Sequence, residues 1–275
     1  MKTKFISIIL AIFLFSCTNS SDKYLSTKKK SIANNNLIMA TLYNYYASEY
    51  KALSYQAYNI GKQRLSIIKK NNPGKNNLAV VVDIDETILD NSPYEAKSIE
   101  SGKNYPAYWN TWCNLSAAKP VPGSLEFLKY ADSLGFNIFY VSNRKKNLEE
   151  ATVKNLKNLR FPQLKDTHLL LREKKSGTNK EPNNKQPRRE KITSQGYEIV
   201  LLAGDNLGDF YEDNFLGKNR YAEMKKHKND FGKKFIVLPN AMYGKWIKSI
   251  GVTDNQSSID SLITIMTKKI EGVNR

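Results

Sequence analysis

The segment Val80-Val81-Val82-Asp83-Ile84-Asp85-Glu86-Thr87 ends an apolar run on two carboxylates spaced two residues apart. At that spacing two side chains leave a strand on one face, so both can reach a single small target beyond its end. One can attack as a nucleophile while its neighbour, held protonated, serves as general acid and then base. Further on, Tyr140-Val141-Ser142-Asn143-Arg144 ends another apolar run on a hydroxyl, an amide and a guanidinium, a set suited to holding phosphate. Ala203-Gly204-Asp205-Asn206-Leu207-Gly208-Asp209 ends a third on carboxylates, and a lysine-rich stretch that includes Lys185 lies between. A phosphate monoester is a dianion and repels an attacking carboxylate unless a cation sits between them. Mg²⁺, which takes octahedral oxygen ligands at roughly 2.0–2.1 Å, suits that place, with Asp83 and Asp205 as the side chains to hold it.

Each fragment alone is commonplace. Paired aspartates cap helices, Ser-Asn-Arg and Gly-Asp-Asn occur in turns, and a lysine cluster is usually a solvated loop. Their occurrence at the ends of successive predicted strands is what gives them weight. Those strands are Leu78–Val82, Phe136–Val141, His168–Leu171, Ile199–Ala203 and Phe235–Leu238, short β-branched or apolar runs of the kind buried on both faces. Helices are predicted between them, at Gly123–Leu134 behind Pro122 and at Asn147–Leu159. An N-terminal helix is predicted from Leu42, with Tyr46, Tyr50, Leu53, Ala57 and Ile60 on its inner face, ending at Asn71-Asn72-Pro73-Gly74. Alternating strand and helix implies an α/β fold with a doubly wound parallel sheet, whose active site gathers beyond the carboxyl ends of the central strands.

Aspartate pair, hydroxyl-bearing strand end, lysine and acidic strand end, in this order, resemble the phosphatase branch of the haloacid dehalogenase (HAD) superfamily. The block Asp83-Ile-Asp-Glu-Thr-Ile-Leu-Asp-Asn-Ser-Pro-Tyr94 narrows the resemblance to the class C acid phosphatases, bacterial surface lipoproteins. Ser48–Asn59, Gln195–Leu207 and Leu238–Gly244 with Trp246 extend it over about Leu37 to Ile247. The resemblance implies a HAD-like Rossmannoid sheet with a small, mainly helical cap around residues 90–120. It implies Asp83 as nucleophile, Asp85 as acid/base, and the Asp85 backbone carbonyl as a third Mg²⁺ ligand, with Asp209 orienting water around the ion. Ser142 and a lysine would hold the transferring phosphoryl group. In the family that lysine follows Lys174-Lys175-Ser176 almost at once, whereas this chain inserts Gly177 to Asn184 there; Lys185 is preferred because everything from it to Asp205 aligns without a gap, and Lys180 and Lys175 stay open as alternatives. Trp109 and Tyr243 match aromatics that sandwich a substrate ring, which implies nucleoside monophosphates or similar ring-bearing monoesters such as nicotinamide mononucleotide, with Asn143 and Arg144 near ribose or phosphate.

The first residues read as an export signal: Lys2 and Lys4 precede an apolar run from Phe5 to Phe15 that is too short to span a bilayer. Leu14-Phe15-Ser16-Cys17 resembles a lipobox, so residues 1–16 are expected to be removed, Cys17 to be lipidated and anchored to a membrane, residues 17–36 to act as tether, and residues 37–275 to form the phosphatase domain. The protein is thus expected outside the cytoplasm, on the periplasmic or cell-surface side of an outer membrane. Cys113 then has no disulfide partner and reads as packing. The net charge of +17, or +15 without Lys2 and Lys4, attracts phosphorylated substrates, anionic lipid or polyanions alike. No stable nucleic-acid partner is expected, while a homodimer through the tyrosine-rich helix or the apolar C-terminal run Leu262, Ile263, Ile265, Met266 and Ile270 stays open. Two other readings remain: a HAD phosphatase of sugar phosphates, and a non-catalytic lipoprotein that binds polyanions.

Overall fold

The computed structural model describes residues 37–173, 183–213 and 217–250, together with Thr264, residues 268–270 and Val273. The leader, Cys17, the tether, Lys175 and Lys180 lie outside the described residues, as does most of the C-terminal apolar run. Among the described residues no helix is long and apolar enough to cross a membrane.

Two helices open the described chain, α1 over residues 37–46 and α2 (Ser48–Asn71), parted at Ala47. The sheet strands are β1 (Leu78–Val82), β4 (Asn137–Lys145), β5 (Leu169–Arg172), β6 (Glu198–Gly204) and β7 (Phe235–Val237), with β2 (Leu89–Asp90) and β3 (Lys119–Pro120) forming a separate antiparallel pair. The remaining helices are α3 (Ser92–Ser101), α4 (Trp109–Leu115), α5 (Ser124–Ser133), α6 (Glu149–Asn158), α7 (Gln186–Ser194), α8 (Gly217–Lys226) and α9 (Lys245–Ser249). The sheet order is β5-β4-β1-β6-β7 and every pairing is parallel. The order reverses beside β1, and such a switch point is where open α/β sheets bind ligands.

All five β1 residues are buried because the sheet is covered on both faces. Leu78, Val80 and Val82 join one core with Phe127 and Leu128 of α5, while Ala79 and Val81 join the other with Ile192 of α7 and Phe210. This two-sided burial explains why the strand reads as an unbroken apolar run. Register sets the chemistry: Val82 is level with Ala203 on one side and Tyr140 on the other, so Asp83, Asp205 and Ser142 emerge at adjacent strand ends.

The inner face of α2 carries Tyr50, Ala57 and Ile60 as expected but is otherwise rotated. Tyr50, Ser54, Tyr58, Gly61 and Leu65 are buried, whereas Leu53 is 43% exposed and Tyr46, on α1, is 69% exposed. A small-residue seam decides the seating: a Cβ on Gly61 would come within 2.8 Å of the Phe127 ring, so only glycine lets α2 approach α5 this closely. The buried Tyr58 hydroxyl donates to the Thr87 carbonyl, tying α2 to the loop after β1. The helical excursion α3–α4 is closed at its base by the β2–β3 pairing of Asp90 with Lys119. β4 also runs farther than expected, keeping Ser142, Asn143 and Arg144 within the strand.

Candidate active site

Asp83 leaves β1 with its backbone N–H still donating to Ala203 of β6, at 3.0 Å. Its Oδ1 forms an ion pair with Lys185 Nζ, which also donates to Asp209 Oδ1 at 2.6 Å. Lys185 sits immediately before α7 and is almost fully buried, so the ordering of that helix fixes the lysine under the strand ends. Asp209 folds back to the N-terminus of its 3₁₀ turn, where Oδ2 accepts from the Asn206 N–H at 2.8 Å. This return requires glycine at 204, because a Cβ there would lie 2.6 Å from Asp209 Cγ. Asp205 accepts from Asn240 Nδ2 at 2.8 Å and Thr87 Oγ1 at 3.4 Å.

Carboxylate oxygens of Asp83, Asp205 and Asp209 all lie within 4.8 Å of one another. Burial pushes the Asp83 carboxyl well above its ordinary pKa; Lys185 opposes this, and Asp209, Asp205 and Asp85 add to it. Burial, then the charge of Asp209, raises Asp205 to about 7 against the pull of its Asn240 hydrogen bond. Buried carboxylates crowded this closely are short of positive charge, and a hard oxygen-seeking divalent cation would supply it. The donor set of Asp83, Asp205 and Asp209 therefore fits such an ion, although Asp209 Oδ1 is the oxygen drawn closely onto Lys185.

Asp85 faces a second cluster. Its Oδ1 accepts from Arg144 Nη2 at 2.7 Å and Nε at 3.0 Å, and from Asn91 Nδ2 at 2.9 Å. Its Oδ2 is more loosely held, by Arg144 Nε at 3.2 Å and Ser142 Oγ at 3.4 Å. Asn91 also binds both oxygens of the buried Glu86 and accepts from Trp112 Nε1 at 2.8 Å, which joins the α3–α4 excursion to the loop after β1. Burial, then Asp85 and Asp205, holds the Glu86 carboxyl well above its usual range. Glu86 itself takes φ 56°, the left-handed step that turns the chain sharply behind Asp85.

The structure brings Asp83, Asp85, Ser142, Lys185, Asp205 and Asp209 to one end of the sheet. Arg144 differs from the expectation that it meets ribose or phosphate: its side chain is 2% exposed, with the guanidinium engaged by Asp85 and Thr152 beneath the Trp109 ring, 5.6 Å from the ring centroid. Trp109 is half-buried against Tyr94 and Tyr105. Tyr243 is half-buried on the Asn240–Gly244 loop, which touches the site through Asn240 on Asp205 and through Gly244, where a Cβ would meet Asn206 Nδ2 at 2.7 Å. Asn143 is exposed and accepts from Arg188 Nη2 at 2.6 Å. Arg188, Asn91, Trp112 and Asn240 escaped the sequence reading. Asn91 and Asn240 lie inside the blocks Asp83–Tyr94 and Leu238–Gly244 that carry the resemblance, whereas nothing in the pattern singled out Arg188 or Trp112. Cys113 is buried and unpaired, as packing requires.

Comparison with known proteins agrees with this geometry. Residues 20–246 match the family described as HAD superfamily, subfamily IIIB (acid phosphatase). The crystal structure of a class C acid phosphatase from Bacillus anthracis with tungstate bound superposes with a TM-score of 0.77 at 37% identity, covering 86% of this chain and 97% of that one. The stem 31 kDa glycoprotein of Glycine max is 31% identical over 59% of this chain and 58% of its own length. Acid phosphatase 1 of Solanum lycopersicum is 28% identical over 59% of this chain and 57% of its own. The chain thus matches less than two thirds of the length of these two curated relatives. With its five-stranded parallel sheet, its aspartates gathered at the strand ends and a family match over most of its length, the chain belongs to the acid phosphatases of HAD subfamily IIIB.

Proposed function

We propose that the protein is an exported, lipid-anchored, Mg²⁺-dependent phosphatase that hydrolyses phosphate monoesters, nucleoside monophosphates foremost, through a phospho-aspartate on Asp83. The observation that carries this reading is the meeting of the Asp83, Asp205 and Asp209 carboxylates with Lys185 Nζ at the switch point of the sheet. The Bacillus anthracis relative was solved with tungstate bound, a tetrahedral oxyanion like phosphate, which supports a phosphate-type ligand for this chain. Mg²⁺ held by Asp83, Asp205 and the Asp85 carbonyl would neutralise the approaching dianion.

Asp83 Oδ1 is occupied by Lys185, which leaves Oδ2, without a partner among the described residues, to attack phosphorus. The new P–O bond forms as the ester P–O bond breaks, and the leaving oxygen takes a proton from Asp85. Because Oδ1 of Asp85 already accepts three hydrogen bonds, the more loosely held Oδ2, which faces Ser142, is the oxygen that passes the proton. Asp85 then accepts a proton from the water that cleaves the phospho-aspartate, releasing orthophosphate and restoring both carboxyls. Lys185 and Ser142 hold the phosphoryl oxygens, where preorganised donors outperform water. Trp109 and Tyr243, at the rim, provide faces for a base or nicotinamide ring.

A chromogenic phosphate ester tests the reaction: turnover that vanishes with chelator and returns with Mg²⁺ supports it. Inert wild-type protein that binds polyanions tightly would favour the scaffold reading instead. A panel of nucleotides and sugar phosphates ranks the substrates, and loss of detergent-phase partitioning in Cys17→Ser tests the anchor.

A further inference from the structure

Among the described residues Arg188 is a cation at the site that forms no ion pair. Lys185 is matched by Asp83 and Asp209, and Arg144 by Asp85. Arg188, three residues past Lys185 on the first turn of α7, donates only to uncharged oxygens: Nη1 to the Ser142 carbonyl, Nη2 to Asn143 Oδ1 at 2.6 Å and to the Asn184 carbonyl at 3.3 Å. Of the five guanidinium N–H groups, Nε–H and one on Nη1 thus keep no protein partner among the described residues. Burial lowers its pKa to about 10; the charge of Asp83 opposes this and Arg172 and Arg189 add to it, so the group stays charged at neutral pH. A half-buried charge near two like charges costs stability unless an anion completes it. The neighbouring Arg189 shows the alternative, since it is buried with its donors on the Gly208 and Asp209 carbonyls and on Gln186.

We propose that Arg188 is a substrate-binding residue that contacts the phosphate group of the monoester, its guanidinium anchored to the backbone of Ser142 so that its remaining donors face the oxyanion. Lys185 shares its charge with the Asp83 and Asp209 carboxylates, so Arg188 adds positive charge for the incoming dianion beside it. The planar fork suits this task because it bonds the strand end along one side and still presents N–H groups elsewhere. This inference rests on the phosphatase reading, but one of its tests does not need turnover.

Orthophosphate is the probe, in Mg²⁺-containing buffer, measured both as a competitive inhibitor of ester hydrolysis and by titration calorimetry. Arg188→Gln should weaken orthophosphate binding and raise KM by about 10- to 100-fold, the range of a hydrogen bond between charged groups, with kcat within about 3-fold of wild type. Arg188→Lys, which keeps the charge and disturbs packing least, should fall between the two. Unchanged orthophosphate affinity in either folded variant overturns the proposal, as does a fall in kcat with KM and affinity unmoved. If wild-type protein fails to turn over any ester, the phosphatase reading falls, while the calorimetric comparison of wild type with Arg188→Lys still decides whether the arginine binds phosphate.

Discussion

Replacing Asp205 by asparagine should make the metal-free protein more stable while disabling it. In the fold Asp205 has its pKa raised to about 7, first by burial and then by the charge of Asp209, against an ordinary carboxylate value of 3.8. The native state therefore holds its proton to higher pH than the unfolded chain does. Stability is unaffected below about pH 4, falls as pH rises toward 7, and bears the whole penalty above that. At about 1.4 kcal/mol per pH unit, the penalty at pH 8 is on the order of 4 kcal/mol, or about half that where Asp83 shares it. Asparagine keeps the surroundings satisfied, because its Oδ1 can accept from Asn240 Nδ2 and its Nδ2 can donate to Thr87 Oγ1. Urea denaturation in chelator at pH 8 should therefore show Asp205→Asn more stable than wild type by about 2–4 kcal/mol, and the two should converge near pH 4. With Mg²⁺ added at pH 8, wild type should gain stability and the variant little, since only the former can close the carboxylate set around the ion. A metal-free variant no more stable than wild type at pH 8, or an equal Mg²⁺ response in both, would refute the argument.

Asp83→Asn should retain the fold, with its melting temperature within a few degrees of wild type, and lose turnover by roughly 10³-fold or more in a chromogenic ester assay. Gly204→Ala should cost both stability and activity, because its Cβ displaces Asp209, whose carboxylate holds Lys185; activity and a thermal melt on the same sample check it. Trp109→Ala should raise KM for a nucleoside monophosphate by about 10-fold while leaving that for glycerol phosphate nearly unchanged, since only the former carries a ring to stack. Equal losses on both substrates would show that Trp109 acts through Arg144 beneath it rather than through the ring.

The sequence by itself determined the layout and most of the side chains that gather at one sheet edge. A sheet covered on both faces needs unbroken apolar runs, and those runs located the strands to within a few residues; residues that follow such runs fall at one sheet edge whatever the details of packing. Asp83, Asp85, Ser142, Asp205 and Asp209 were legible for that reason. Lys185 was legible only by alignment across the insertion, because a lysine in a polar stretch carries no periodicity that distinguishes it. The tertiary structure decided what depends on contacts between distant segments. It seated α2 on Ser54 and Gly61 and left Leu53 outside, because the ring of Phe127 accepts only a glycine at close range. It turned Arg144 inward onto Asp85 and left Arg188, one helical turn beyond Lys185, with unused donors and no carboxylate partner among the described residues. Residue type and spacing say which side chains arrive at a sheet edge, but two arginines of identical chemistry part ways there according to which neighbour's charge is already satisfied, and that is fixed only once the strands are in register.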